Sequence, residues 1–236
     1  DASRALGTQM KATGEVMSIG RTMEESLLKA VRSLETGVCH IYHKKFDKWS
    51  NDDLLAYIKG GTDDRLYAIG QLIRNGVDLA LIYDKTKIDM FFLEKFKNIV
   101  EFENVVRAHP MDVETLRAAK RMGFSDKYIG QLWGLSQNEM YRLREKNNVF
   151  PVYKMIDTCA SEFSSYVPYF YSTYEEENES IVSGKEKIIV LGSGPIRIGQ
   201  GVEFDYSTVH AIWSIRAAGY EAIIINNNPE TVSTDY

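Results

Sequence analysis

The sequence of 236 residues has little of several features that identify particular protein classes. It contains only two cysteines, Cys39 and Cys159, so a scaffold held together by disulfides is excluded. It contains no apolar run near the roughly 20 residues that a membrane-spanning helix needs, so a membrane-spanning protein is not expected. It has no excess of basic residues, and its net charge of -5 argues against a general nucleic-acid binder. No repeat of fixed period occurs, which excludes a collagen-like chain.

The composition that is present is typical of a globular protein. Hydrophobic residues make up 44% of the chain and charged residues 26%. A chain of this length buries roughly 70–75% of its unfolded surface, which suffices for one large domain or two small ones. Two isolated cysteines indicate free thiols in a reducing compartment, so we expect a cytoplasmic protein. Residues 1–20 lack the pattern of a signal peptide, and without an initiator methionine they do not resemble a natural start.

Residues 22–171 carry the signals of consecutive helices. Polar capping residues precede apolar residues that recur every three or four positions, and glycines follow most of these stretches. The predicted N-terminal caps are Thr22, Ser50, Asp63, Thr86 with Asp89, Asp112, Ser125 and Ser136. Thr22 with Glu25, and Ser136 with Glu139, have the spacing of capping boxes. The longest helix is predicted to carry an apolar stripe formed by Phe92, Phe96, Ile99, Val100 and Val106. The sequence therefore predicts a compact multi-helix domain.

The rest of the chain has a different pattern. Residues 172–184 are rich in glutamate and are interpreted as a solvated linker. From residue 185 onward the pattern is strand, glycine loop, helix and strand, with the strands at 187–191 and 222–225. The first strand is continuously apolar, which is typical of a strand buried on both faces of a parallel sheet. The predicted fold class is mostly α, with a multi-helix domain followed by one strand–helix–strand unit of an α/β domain.

The loop after the first of these strands contains four glycines: Gly192, Gly194, Gly199 and Gly201. Such a loop can direct backbone N–H groups and a helix N-terminus at an anion. A dinucleotide-binding fingerprint would need glycine where Arg197 stands and an acidic residue where Asn226 stands, so a nicotinamide site is disfavoured. The alternative is that the glycines bind no ligand and serve only to permit a tight turn.

Ionisable residues also lie close in sequence to the glycines. The set consists of Glu15, Arg197, Glu203, Asp205 and Glu230. Each one alone is by default a surface charge. Glu203 and Glu230, however, are both expected near the carboxyl edge of the sheet, where open α/β sheets bind their ligands. Their shared location makes the set a candidate site.

Two other interpretations of the helical region remain open. Residues 125–146 resemble a helix-turn-helix in which Arg142, Arg144 and Lys146 could contact phosphates, although acidic residues on the same helix oppose this. The region could also serve as a stand-alone interaction module. No metal site is expected, because His40 and His43 have no cysteine at ligand spacing and are interpreted as surface histidines.

Several longer stretches of the sequence resemble a known protein family. Residues 191–206 (LGSGPIRIGQGVEFDY) and 228–236 (NPETVSTDY) closely resemble the large subunit of carbamoyl-phosphate synthase, where its second synthetase half begins. Residues 14–21 (GEVMSIGR) resemble the end of the first half. Residues 152–163 (VYKMIDTCASEF) and 171–177 (YSTYEEE) resemble the end of the helical domain between the halves.

The resemblance implies a division of the chain into four parts. Residues 1–21 would be a tail from the first half, 22–171 an oligomerisation domain, 172–184 an acidic linker, and 185–236 the start of a nucleotide-fold, pre-ATP-grasp domain. The domain that carries the ATP-grasp sites would lie outside this sequence. We therefore expect the piece alone to bind no ATP tightly and to have no catalytic residues of its own.

The resemblance also implies a function for the parent protein. That protein would be a ligase that makes carbamoyl phosphate from bicarbonate, ammonia and two ATP, with Mg and K as its ions. Its product would serve arginine synthesis, pyrimidine synthesis or both. A glutaminase small subunit would supply the ammonia, and large subunits would self-associate through the helical domain. The residues that would line the tunnel for carbamate are Glu15, Arg197, Gly201, Glu203 and Glu230. We expect the carboxyl groups to pass carbamate by hydrogen bonding and Arg197 to steady the entrance.

Overall fold

The structure is a computed structural model that describes residues 4–5, 7–9, 16–157, 159, 162–163, 168–195, 200–226 and 232–235. Nine α-helices and four strands lie within these residues. The helices are α1 (Met23–Ser33), α2 (Asn51–Ile58), α3 (Arg65–Arg74), α4 (Leu79–Thr86), α5 (Met90–Ala108), α6 (Val113–Arg121), α7 (Asp126–Trp133), α8 (Gln137–Lys146) and α9 (Tyr206–Ala217). The strands are β1 (Val152–Met155), β2 (Phe170–Thr173), β3 (Lys187–Leu191) and β4 (Glu221–Ile225). The mostly α fold class predicted from the sequence is confirmed.

Side-chain caps explain where most of the helices begin. The N-terminal caps that accept a hydrogen bond from the backbone N–H three residues later are Thr22, Ser50, Asp112, Ser125 and Ser136. Ser136 and Glu139 form the complete capping box that their spacing predicts. The Thr22–Glu25 box is only half formed, because the Glu25 carboxylate accepts from the N–H of Arg21 instead of Thr22.

The core of the helical domain is arranged around α5, which packs against α1, α3, α4, α6 and α7. The predicted stripe on α5 is correct except at Phe92, which is 41% exposed, while Leu93 is fully buried. Leu93 and Phe96 are three residues apart and so share the inward face, whereas Phe92 is rotated about 100° away from Leu93. The Phe92 ring therefore remains at the surface.

Helix α4 is not evident from the sequence pattern. Asp78 caps this helix by accepting from the N–H of Ala80, and the left-handed Lys87 ends it. Thr86, predicted as a cap of the longest helix, is instead the last residue of α4, and Asp89 alone caps α5. A short apolar run such as residues 79–82 has no distinctive period, so pattern alone does not identify it as helix.

A β-hairpin that the sequence pattern does not predict comes after the helices. β1 pairs with β2 in antiparallel register, with Val152 opposite Thr173 and Met155 opposite Phe170. The predicted boundary between the helical domain and the acidic linker, between residues 171 and 172, therefore falls inside β2. Tyr174 packs against the helical core, while Glu176 and Glu177 are exposed as a solvated linker requires. The domain boundaries themselves stay predictions.

The last unit consists of β3, α9 and β4. The strands are parallel, with Lys187 opposite Glu221 and Leu191 opposite Ile225, and α9 packs against both. The prediction that β3 is buried on both faces is wrong here, because Leu191 is 77% exposed. Within the described residues this sheet has only two strands, so little surrounds β3. No helix in the described part of the chain is both long and apolar enough to span a bilayer.

Candidate functional site

The glycine loop begins where β3 ends, beside the end of β4. The N–H of Gly192 donates to the carbonyl of Ile225 at 2.8 Å and so extends the strand pairing by one bond. A Cβ on Gly192 would lie only 2.5 Å from the amide nitrogen of Asn226. Gly194 has a φ of 79°, in the left-handed region that glycine adopts without strain. The backbone conformation therefore favours glycine at position 194, whereas a side chain at position 192 would force the Asn226 side chain to move.

Asp205 holds the described parts of this edge together. The residue is fully buried, and it precedes α9 at the end of a short 3₁₀ helix over Val202–Asp205. Its Oδ1 accepts from the hydroxyls of Ser193 and Thr208, each at 2.8 Å, and its Oδ2 accepts from the N–H of Ser233 at 3.2 Å. One carboxylate thus joins the glycine loop, the start of α9 and the segment after β4.

The surroundings of Asp205 favour its charged form. Burial alone would raise the pKa of this carboxyl group, but the hydrogen bonds from Ser233, Thr208 and Ser193 lower it below its ordinary value of 3.8. Asp205 is therefore an anion at neutral pH. A buried anion that accepts hydrogen bonds from three residues fixes the positions of those residues, so its role in this structure is to shape this edge of the sheet.

The predicted tunnel residues are only partly described. Glu203 is exposed and lies beside Gly201, where an added Cβ would collide with the Glu203 carboxylate. The N–H of Phe204 donates to the carbonyl of Gly201 at 3.2 Å, which begins the 3₁₀ turn. The predicted residues that lie outside the described part of the chain are Glu15, Arg197, Gly199 and Glu230. The tunnel set as a whole stays a prediction.

Asp205 belongs to the candidate set predicted from the sequence, but its structural role is not evident there. The available signal is the pair of hydroxyl residues, Ser193 in the glycine loop and Thr208 one turn after the aspartate. Hydroxyls placed so close to a glycine loop and a helix start are potential partners for a buried carboxylate. Ser233 is too distant in sequence to be recognised in this way.

The structure also bears on the helix-turn-helix alternative. Arg144, one of its expected phosphate contacts, is only 9% exposed. Its guanidinium lies 2.8 Å from the carboxylate of Asp126 and also donates to the carbonyl of Val149. A guanidinium with internal partners is not available to a phosphate backbone, so Arg144 cannot make the predicted contact, whereas Arg142 and Lys146 are exposed.

His40 and His43 are both interpreted from the sequence as surface histidines, and neither is fully exposed in the structure. His40 is 1% exposed and its Nε2 lies 2.9 Å from the Glu103 carboxylate, so the prediction of a surface position is wrong. His43 is half-buried and accepts from the N–H of Lys45 at the start of a 3₁₀ helix. Across the described residues, no three histidine, cysteine or acidic side chains are grouped so that they could hold a metal ion.

Comparison with protein families agrees with this architecture. Residues 15–148 match the carbamoyl-phosphate synthetase large chain, oligomerisation domain. The chain belongs to the carbamoyl-phosphate synthase large-chain family. Residues 184–236 match a second domain of that enzyme, the carbamoyl phosphate synthase pre-ATP-grasp domain.

The two matched regions correspond to the two structural units of this large-chain member. The first match covers α1 to α8, and its description as an oligomerisation domain supports self-association. The second match covers β3, the glycine loop, α9 and β4. The β1–β2 hairpin lies in the stretch of sequence between them, so it belongs to the connection from the helical domain to the C-terminal unit.

Proposed function

We propose that this chain acts within an ATP-dependent ligase that makes carbamoyl phosphate from bicarbonate, glutamine-derived ammonia and two ATP. Its helical domain serves self-association of large subunits, and its C-terminal unit supplies part of the tunnel that carries carbamate. The observation that carries the proposal is the order of the two matched domains, an oligomerisation domain followed by a pre-ATP-grasp domain in one chain.

The wider setting is part of the same proposal. The enzyme uses ATP with Mg and K, receives ammonia from a glutaminase small subunit, and works in the cytoplasm for arginine synthesis, pyrimidine synthesis or both. Neither matched domain is described as an ATP-grasp domain, which supports the view that this chain alone binds no ATP tightly and is inactive. No cofactor is assigned to the chain itself.

The tunnel role is based on the chemistry of the intermediates. Carboxyphosphate and carbamate both react with water, so an enzyme that makes them in sequence gains from passing them through a protected passage. Glu203 stands at the C-terminal edge of β3 and β4, next to the turn made by Gly201. A carboxylate there can accept hydrogen bonds from the amino group of carbamate.

Substitution of Glu203 tests the tunnel role in the full-length enzyme. Glu203→Gln and Glu203→Ala should lower carbamoyl phosphate synthesis about tenfold, the effect of losing one hydrogen bond that contributes about 1.4 kcal/mol. The partial ATP reactions of the two halves should remain near the parental rate. Glu186→Gln, an exposed carboxylate before β3, is the matched control and should change neither. Equal loss of synthesis and partial reactions would contradict the tunnel role.

An exposed aromatic surface supports the proposed self-association. Phe91 and Phe92, at the start of α5, are 52% and 41% exposed, and their rings lie 5.3 Å apart. Lys95 lies over the Phe91 ring, and α4 ends nearby with the exposed pair Asp84 and Lys87. An apolar centre with charges of both signs around it can pack against the same surface of a second copy across a two-fold axis.

Replacing the exposed rings tests this surface. Phe91→Glu combined with Phe92→Glu should raise the dissociation constant for self-association about 30-fold or more, because buried aromatic side chains dominate interface energies. Sedimentation velocity over a concentration series measures the change. Phe163→Glu, at an aromatic residue that is 72% exposed and lies outside the region matched as the oligomerisation domain, should have no effect. Unchanged association of the double variant would show that another surface is used.

A further inference from the structure

Glu25 and Lys29 form an unusual ion pair on α1. Their charged atoms lie 2.8 Å apart one helical turn from each other, but the Glu25 side chain is only 2% exposed. Glu25 Oε1 also accepts from the hydroxyl of Thr173 at 2.7 Å, and its Oε2 accepts from the N–H of Arg21 at 2.8 Å. The carboxylate therefore has partners both before α1 and in β2, 148 residues further along the chain.

Lys29 bonds to the same two regions. Its ammonium group donates to the carbonyl of Ile19 at 2.8 Å and to the carbonyl of Ser172 at 2.6 Å. With Glu25 as the third acceptor, all three ammonium protons are used. The ammonium group also lies 5.4 Å from the centre of the Tyr171 ring. A lysine side chain that donates to three acceptors is held in one conformation, so it also fixes the positions of those acceptors relative to one another.

Two glycines allow the close approach that these bonds need. A Cβ on Gly20 would lie 2.9 Å from the Glu25 carboxyl carbon. A Cβ on Gly123, in the turn between α6 and α7, would lie 2.9 Å from the Glu25 Cα, and Gly123 has a left-handed φ of 94°. Arg32 secures the same turn by donating to the carbonyl of Gly123 at 2.6 Å. The pair is thus set in packed surroundings, where a residue with a side chain could replace neither glycine without movement.

We propose that Glu25 and Lys29 hold the leading segment (residues 16–21) and the trailing segment (residues 170–174) of the helical domain in one fixed relation. The two segments and α1 then open and close as a single cooperative unit. Under the proposed function, these segments connect the helical domain to the two synthetase halves, so the pair fixes where the halves attach. The coupling must be reciprocal, because a free energy that links two segments acts equally on both.

The reciprocity gives a direct test by hydrogen exchange on this chain. Thr173→Val keeps the shape of the side chain and removes one hydrogen bond to Glu25. The amides of residues 16–21 should then exchange about tenfold faster, as should those of residues 170–174, the factor expected for one bond to a charged group. Lys29→Met, which removes the ammonium and keeps the length of the side chain, should give the same joint change. Helices α3 and α5 should keep their parental exchange.

Glu24 offers a matched control on the same helix. It is 6% exposed, nearly as buried as its neighbour, but it accepts from Asn98 of α5 at 2.9 Å and not from either segment. Glu24→Ala should leave residues 16–21 and 170–174 at their parental exchange relative to the rest of the domain. Faster exchange confined to residues 170–174 in Thr173→Val would overturn the proposal, as would joint loosening in Glu24→Ala. Exchange is measured without any enzyme activity, so the outcome is independent of the proposed function.

Discussion

Replacing Glu103 with alanine is expected to lower the free energy of unfolding of the helical domain by about 3–5 kcal/mol, the range for breaking a buried ion pair from one side. Glu103 is 1% exposed and accepts from Nε2 of His40 at 2.9 Å and from Nε of Arg74 at 2.8 Å. His40 in turn stacks on Tyr128 with ring centres 3.7 Å apart. Without the carboxylate, a guanidinium and an imidazole N–H are left in the core without their acceptor.

Urea denaturation of matched variants measures the effect. Glu103→Gln keeps one accepting oxygen and should lose less stability than Glu103→Ala. Glu101→Ala removes a carboxylate from the same helix at a site that is 61% exposed, where it pairs with Lys97. That control should cost no more than about 1 kcal/mol, as exposed ion pairs generally do. Similar losses for Glu101→Ala and Glu103→Ala would show that the buried cluster does not stabilise the domain.

The same cluster predicts how stability depends on pH. Burial lowers the pKa of His40 below its ordinary value of 6.5, although Glu103 opposes the shift. Burial would raise the pKa of Glu103, but hydrogen bonds from His40 and Arg74 together with the charge of Arg74 lower it to about 2. Both pKa values are depressed in the folded state, so the unfolded chain binds more protons on acidification. Stability should fall below pH 6.5 through His40, and further below pH 4.5 through Glu103.

Most of the helix starts were predictable from the sequence because their determinants are local. A cap such as Asp112 bonds to the N–H of Thr115, three residues away, so both partners lie within one short window of sequence. The glycine that ends α7, Gly134, is equally local, since its left-handed backbone depends on its own residue type. Signals of this kind remain readable without knowledge of the tertiary fold.

The features that escaped prediction depend on contacts between distant residues. His40 is buried because Glu103, 63 residues later, offers it an acceptor. The β1–β2 hairpin joins two four-residue strands, and Thr173 of β2 donates to Glu25, 148 residues earlier in the chain. In the candidate site, the glycine loop was evident from sequence, but the carboxylate that organises it acts through Ser233, 28 residues away. Short windows of sequence do not carry this information.

Replacing Asp205 with asparagine should loosen the C-terminal unit while leaving the helical domain intact. The change keeps the shape of the side chain but removes its negative charge. It also replaces one accepting oxygen with an NH₂ group, which would face one of the N–H or O–H groups that now donate to the carboxylate. Loss of hydrogen bonds to a buried charged group costs about 3 kcal/mol, so amides of β3, α9 and β4 should exchange about 100-fold faster. Amides of α5 should be unaffected, because the bonds that Asp205 accepts lie within its own unit.

Glu203, two residues away, provides a comparison that separates an effect on the structure of the C-terminal unit from an effect on the passage of carbamate. Its side chain is exposed, so Glu203→Gln should leave exchange throughout β3, α9 and β4 at the parental rate. In the full-length enzyme, Asp205→Asn should then lower synthesis together with local protection, whereas Glu203→Gln should lower synthesis alone. If Asp205→Asn left exchange unchanged, the glycine loop would not depend on its buried carboxylate. If Glu203→Gln also increased exchange, its effect on synthesis would be structural, and the tunnel role would lose its main support.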